Sequence, residues 1–343
     1  MTDPALQHGA TDLDLASLGR WMAAHVEGYR GPLSANRFQG GQSNPTYQLT
    51  TPGARYVLRR KPMGRLLASA HAVDREYRAM AALHPTGFPV PRPYGLCDDD
   101  AVIGSMFYVM QLVDGRIIRE PTLAGVSPAD RRAIWLDMIA VMARLHGVAP
   151  ADVGLADFGR PGNYMARQIH RWTTQYRASE TRRLETMERL LEWLPSTVPE
   201  ETRTGIVHGD FKIDNVVLHA AEPRLAAVLD WELSTLGDPL ADFTYLMMNW
   251  VTGPLAEQSR LAESGVPSLQ ECVAEYCRLT RREGLPDLNW FFAYNQFRLG
   301  CILQGIVGRA RDGTANSPEA ASMEARVPVL ADTAWRFAKL AGA

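Results

Sequence analysis

The chain is poor in lysine. Of its 36 basic residues only Lys61, Lys212 and Lys339 are lysines, and the rest are arginines. That bias points to GC-rich coding, as in a bacterium, and it singles out each lysine as a candidate site residue. An excess of basic charge is also missing: the net charge is −2. This argues against a nucleic-acid partner, because neutralising a phosphate backbone needs a net basic face. No uncharged apolar run reaches the roughly 18 residues of a membrane span. The opening "MTDPALQHGATDLD" lacks the basic and apolar regions of a secretory leader, so a cytoplasmic location is expected. Cysteine is scarce too. Cys97, Cys272, Cys277 and Cys301 form no CxxC pair. Cys272 and Cys277 lie five apart in a helical pattern, about 140° apart around it. They read as small core residues in a reducing compartment, not as a disulfide framework or zinc site. Repeats and low-complexity segments are absent.

What is present fits a globular protein: 343 residues, 46% hydrophobic and 22% charged, enough for two lobes with a sizeable core. Leu15, Leu18, Met22 and Val26 fall at helical spacing and predict an N-terminal amphipathic helix. "RFQGGQSNPTYQLT" and "ARYVLRRKP" predict two strands and the start of a third, with turns at Gly40-Gly41 and "TPGA". Residues 68–84 predict a helix with Val73, Tyr77, Met80, Ala81 and His84 on one side, stopped by the Pro-rich 85–95. "MFYVMQLVDG" reads as a buried strand. From Ser127 the pattern turns helical, opening with an N-cap Ser, Pro at the first helical position and a terminal Gly. Further helices are expected within 163–194, 240–250, 268–284 and 287–311. Inside this helical region "GIVHGD", "NVVLH" and "LAAVLD" form a small β island. The expected architecture is α+β and two-lobed: a β-rich front over 1–112 with the N-terminal helix, a helical back over 113–343, and a cleft between them.

The island carries the densest chemistry. In "IVHGDFKIDNVVLH", Asp210 follows His208 by two residues and Asn215 follows Asp210 by five, giving H-x-D-x-x-x-x-N. Asp230 ends "LAAVLD" twenty residues after Asp210, a separation that permits a hairpin bringing it beside Asn215. Phosphoryl transfer needs a carboxylate near the attacking hydroxyl and oxygen ligands for Mg²⁺, which this set supplies.

"HGDFKIDNVVL" followed by "VLDWELSTLGDPLADFTYL" resembles the aminoglycoside phosphotransferase / choline kinase-like family, small-molecule kinases with a protein-kinase-like fold. The resemblance extends from the Gly-rich turn near residue 40 to the helices past 240. It implies ATP and Mg²⁺, with Asp210 as catalytic base and Asn215 and Asp230 as metal ligands. His208 would brace the loop, and Lys212 would either steady the transferring phosphoryl group or be solvated. Gly40, Gly41, Gln42, Ser43 and Asn44 would cover the phosphates through backbone N–H groups. The strand position that usually holds a phosphate-contacting lysine carries Arg59, with Lys61 two residues on as the reserve and Glu76 as the partner carboxylate. Gln111, Leu112 and Val113 would form the adenine-binding hinge. The front lobe becomes the nucleotide-binding lobe and the back the catalytic and acceptor-binding one. Trp231-Glu232, where protein kinases have Phe-Gly, fits the small-molecule family. Asp238 and Asp242 are expected to cap the next helix or hold the metal loop.

The acceptor leaves a weaker trace. Residues 244–343 contain ten acidic and ten basic residues, without the acidic excess that a polycationic aminoglycoside would favour. Trp250, Trp290, Phe291, Phe292, Tyr294 and Phe297 have the composition of a choline cage, but at helical spacing they read as core. In motif form the chain is most similar to the branch fused to acyl-CoA dehydrogenases, which implies a hydroxyacyl-CoA or related hydroxy metabolite as acceptor. Arg-rich stretches such as "RLTRRE" would receive CoA phosphates. Two alternatives stand beside this: an aminoglycoside-modifying phosphotransferase, and a non-catalytic nucleotide-binding module suggested by Arg59.

Overall fold

The computed structural model describes residues 6–7, 12–38, 44–62, 72–256, 261–313 and 320–343. Helix α1 (Leu15–His25) starts where the Asp14 carboxylate accepts from the N–H groups of Ala16 and Ser17, each at 3.0 Å. Its Leu18 and Met22 are buried in one apolar cluster with Tyr47, Leu49, Leu58 and Phe107 of the sheet. That sheet has six antiparallel strands, β1 (Leu6–Gln7), β2 (Ser34–Phe38), β3 (Thr46–Thr50), β4 (Arg55–Arg60), β5 (Pro93–Cys97) and β6 (Phe107–Gln111), in the order β1-β2-β3-β4-β6-β5. Strand β5 lies partly in the segment expected only to stop a helix. Its register shifts between Pro93 and Gly95, where proline cannot sustain a regular ladder.

Helix α2 (Val73–Leu83) buries Val73, Glu76, Ala79, Met80 and Leu83. This differs from the expected stripe, and His84 is exposed. The physical reason is Glu76: a carboxylate sits on the buried side, so apolar periodicity alone places the face wrongly. Gly40, Gly41, Gln42 and Ser43 lie outside the described residues.

The chain divides into two compact units. The first comprises residues 1–120, 153–155 and 213–234. It therefore takes in the hairpin of β8 (Val216–Leu218) and β9 (Leu225–Val228), paired Val216 to Val228. Residues Gly115 and Arg116 run against this hairpin. Arg116 and Leu218 exchange backbone hydrogen bonds of 2.8 Å, and a Cβ on Gly115 would stand 2.2 Å from the Leu218 carbonyl oxygen. Only glycine permits that approach.

The second unit comprises 121–152, 156–212 and 235–343. Its helices are α3 (Pro128–His146), α4 (Tyr164–Ser179), α5 (Glu185–Ser196), α6 (Pro239–Val251), the short α7 (Leu261–Ser264), α8 (Leu269–Thr280), α9 (Asn289–Arg311) and α10 (Ala320–Leu340). A two-stranded sheet pairs β7 (Gly205–Val207) with β10 (Thr235–Gly237). Helix α3 has the anticipated caps: the Ser127 hydroxyl accepts from Asp130 N–H at 3.1 Å, Pro128 opens the helix and Gly147 follows its end. The aromatic run of α9 is core, with Trp290, Phe291, Phe292, Tyr294 and Phe297 all buried. All four cysteines are free thiols, and three are buried.

Candidate active site

In the first unit the site begins on β4, where Tyr56, Val57 and Leu58 are buried beside Arg59. The Arg59 guanidinium forks: Nη1 donates to Glu76 Oε1 at 2.9 Å and Nη2 to Asp230 Oδ1 at 2.8 Å. Glu232 lies 3.8 Å from Nη2 and also accepts from the Asn44 side-chain amide at 3.2 Å. A planar fork can serve two carboxylates at once, which a lysine ammonium does less well. Burial pushes the Glu76 carboxyl up, to about 7, with the Arg59 charge pulling the other way. Lys61 is directed elsewhere, with its ammonium 3.4 Å from Asp74.

Asp230 adopts a left-handed backbone, φ 65° and ψ 62°, which is uncommon for a residue with a Cβ. It sits at the end of the β8–β9 hairpin. Leu229 N–H donates to the Asn215 carbonyl at 2.8 Å, bringing Asn215 and Asp230 to the same end of β8–β9. Buried Trp231 then anchors the turn through its Nε1–H to the Val228 carbonyl at 3.0 Å. A cavity of about 220 Å³ in this unit is lined by apolar Val57, Met80, Met110 and Leu229. Its charged lining is Arg59, Glu76 and Asp230, and Gln111, Leu112 and Val113 contribute the segment after β6.

In the second unit the loop carrying Asp210 is held from beneath by Asp242 on α6. Both Asp242 oxygens accept backbone N–H groups, from His208 and, at 2.8 Å, from Gly209. Burial opposes ionisation of Asp242. Its bond and proximity to His146, with the other donors, nevertheless hold the carboxyl below the usual range. His146 lies 3.5 Å from Asp242 and 2.7 Å from the Tyr276 hydroxyl. Gly209 has φ 83°, which explains the glycine at the loop's apex. The His208 ring Nδ1 accepts from Asp210 N–H at 3.2 Å. The Asp210 carboxylate receives the Tyr245 hydroxyl on Oδ1 at 2.9 Å, and Lys212 Nζ stands 3.3 Å from Oδ2.

Three contributors escaped sequence reasoning. Tyr245 orients Asp210 from one helical turn beyond Asp242. Arg298 is buried on α9, donates to the Gly209 carbonyl at 2.6 Å and lies over the Tyr245 ring at 5.0 Å. His146 supports Asp242. The available signal was a charged residue inside an apolar helix, "FFAYNQFRLG".

Asp238 caps α6 by accepting from Leu240 N–H at 2.9 Å. Burial pushes its carboxyl up to about 6, against an ordinary 3.8. A raised folded-state value means stability that is complete below about pH 4 and lost as pH rises through 6. The loss amounts to about 3 kcal/mol at about 1.4 kcal/mol per unit. Asp238→Asn keeps the cap acceptor and removes the titration. Urea unfolding of the variant is expected to lack this part of the pH slope between pH 4 and 7, and parallel slopes would count against the burial account.

Residues 34–272 match the family model described as the APH phosphotransferase enzyme family. The chain is 41% identical to mouse acyl-CoA dehydrogenase family member 10 over 318 residues, covering 91% of this chain and 30% of that protein. With human acyl-CoA dehydrogenase family member 11 it shares 38% identity, covering 95% of this chain and 43% of that one. The chain belongs to the phosphotransferase enzyme family. It spans less than half the length of these curated relatives. A Ralstonia eutropha protein, solved as a candidate aminoglycoside phosphotransferase, is 45% identical with a TM-score of 0.87, covering 95% of this chain and 98% of that one. Choline kinase from Cryptosporidium parvum shares the fold, with a TM-score of 0.63 at 11% identity and coverage of 96% and 97%. The phosphotransferase has the two-lobed, kinase-like α+β fold expected from its motifs. Among its described residues no helix is long and apolar enough to cross a membrane.

Proposed function

We propose that this phosphotransferase moves the γ-phosphoryl group of ATP to the hydroxyl of a hydroxyacyl-CoA or a related hydroxy metabolite. The observation that carries the acceptor class is the 41% identity, over 91% of this chain, to part of an acyl-CoA dehydrogenase family member. The acceptor oxygen forms a bond to phosphorus while the bond from phosphorus to the β-bridging oxygen breaks and ADP leaves. The hydroxyl proton passes to Asp210, which Tyr245 and the Asp242-held loop orient. The product carries phosphate where a poor hydroxide leaving group stood, which prepares the acyl chain for elimination.

The adenine fits the apolar lining of the 220 Å³ cavity, with the segment Gln111–Val113 supplying backbone groups. Arg59 and Lys61 are the two candidate cations for phosphate contact. Arg59 is the choice for phosphate contact because it lines the cavity, whereas Lys61 faces Asp74. Asn215 and Asp230 offer hard oxygen donors that suit Mg²⁺, and the uncommon backbone of Asp230 is of the kind retained at functional sites. A bound Mg²⁺ would screen the charge on the β- and γ-phosphates.

An ADP-release assay of the purified chain against hydroxyacyl-CoA, aminoglycoside, choline-like and sugar acceptors tests this reading. Turnover is expected with hydroxyacyl-CoA and background rates with aminoglycosides. ATP binding without ADP release across the whole panel would sink the reading.

A further inference from the structure

A second cavity, of about 330 Å³, lies wholly within the second unit. Its size falls at the lower end of the roughly 300–1,000 Å³ typical of small-molecule sites. Arg203, Arg281 and Arg282 line it, together with His146 and Tyr276. None of the three arginines makes an ion pair among the described residues. Arg203 spends its donors on main-chain carbonyls, Thr280 at 2.8 Å and Arg281 at 3.5 Å. The Nε of Arg282 is buried and has no hydrogen-bond partner. Arg281 is brought to the wall by its left-handed backbone, φ 53°, which ends α8. The nearby carboxylates are engaged in other bonds: Asp238 caps Leu240 N–H, and Asp242 holds the His208–Gly209 backbone.

Three like charges line one cavity, with the exposure of Arg203 and Arg281 screening their repulsion, and an orphaned buried donor on Arg282 adds a desolvation cost. A ligand with several oxygens relieves both, since guanidinium forks match the geometry of phosphate and carboxylate. We propose that this cavity binds a small organic oxyanion, a phosphate ester or a carboxylate. The occupant would lie against His146, whose neighbour Asp242 fixes the loop carrying Asp210. Arg281 and Arg282 belong to the "RLTRRE" stretch read above as a receiver of CoA phosphates, but the cavity rests on the second unit's own arginines and is tested without the reaction assigned above.

Thermal unfolding of the full chain in glycerol 3-phosphate, succinate or sodium chloride, at matched ionic strength, tests the proposal. At about ten times the dissociation constant, glycerol 3-phosphate should raise the midpoint by roughly 2 °C over chloride. The shift should vanish in Arg281→Gln/Arg282→Gln. It should persist in Arg278→Gln, whose side chain pairs with Glu275 and does not line the cavity. A matching succinate response assigns the site to carboxylates as well, and a phosphate-only response assigns it to phosphate esters. Responses equal to that of chloride, or a shift surviving the double variant, overturn the proposal.

Discussion

Asp210→Asn is expected to lower ADP release by roughly 10²- to 10⁴-fold, the range associated with loss of a positioned base. The amide keeps an oxygen for the Tyr245 hydroxyl, so the loop geometry that depends on Oδ1 survives. It cannot take up the acceptor proton, and its NH₂ group would face the Lys212 ammonium that now stands 3.3 Å from Oδ2. The fold has little stake in the change, because Asp242, itself backed by His146, and Arg298 hold the loop by its backbone. Unfolding free energy should stay within about 1 kcal/mol of the parent. ATP affinity, measured by calorimetry, should be retained. A variant with near-parental turnover would remove Asp210 from the base role.

Arg59→Met is expected to lower stability by about 3–5 kcal/mol, the usual consequence of removing one member of a buried ion pair. Glu76 has a side chain 1% exposed, and Arg59 is its ion-pair partner at 2.9 Å. In the variant Glu76 loses that cation and is driven toward its neutral form, beyond the rise to about 7 that burial already produces. A carboxyl raised in the folded state contributes stability at low pH and loses it as pH climbs through the folded value. The deficit should therefore be smaller at pH 6 than at pH 8 in urea unfolding. Arg59→Lys should fall between parent and Met, because a point charge cannot match both Glu76 and Asp230. A Met variant within 1 kcal/mol of the parent at pH 8 would show that the fork is not structural.

The part of the site written in one continuous stretch was legible from sequence. His208, Asp210 and Asn215 fall within one short stretch, and Asp230 follows the strand that pairs back to β8. Arg59 was legible because strand position defines it. The supports were not legible, because they act through space: Tyr245 is 35 residues from Asp210, Arg298 is 89 from Gly209, and His146 is 96 from Asp242. The α2 face was misjudged for a related reason. Hydrophobic periodicity has no term for a carboxylate that becomes buried only because Arg59 is opposite it.

The first unit is threaded from separated stretches of chain, and this sets an order of events during synthesis. The sheet and α2 leave the ribosome early, but Asp230 is 171 residues beyond the Arg59 it pairs with. Translation at about 5–20 residues per second leaves a nascent front unit waiting for Ile213–Ser234 for several seconds. During that interval Arg59 and Glu76 can pair locally, 17 residues apart, while the β8–β9 hairpin has yet to be made. A polypeptide ending before residue 213 would carry the sheet yet lack both Asn215 and Asp230. The unit is thus compact in space but not excisable by a single cut, and its maturation is tied to translation of the helices before its last segment.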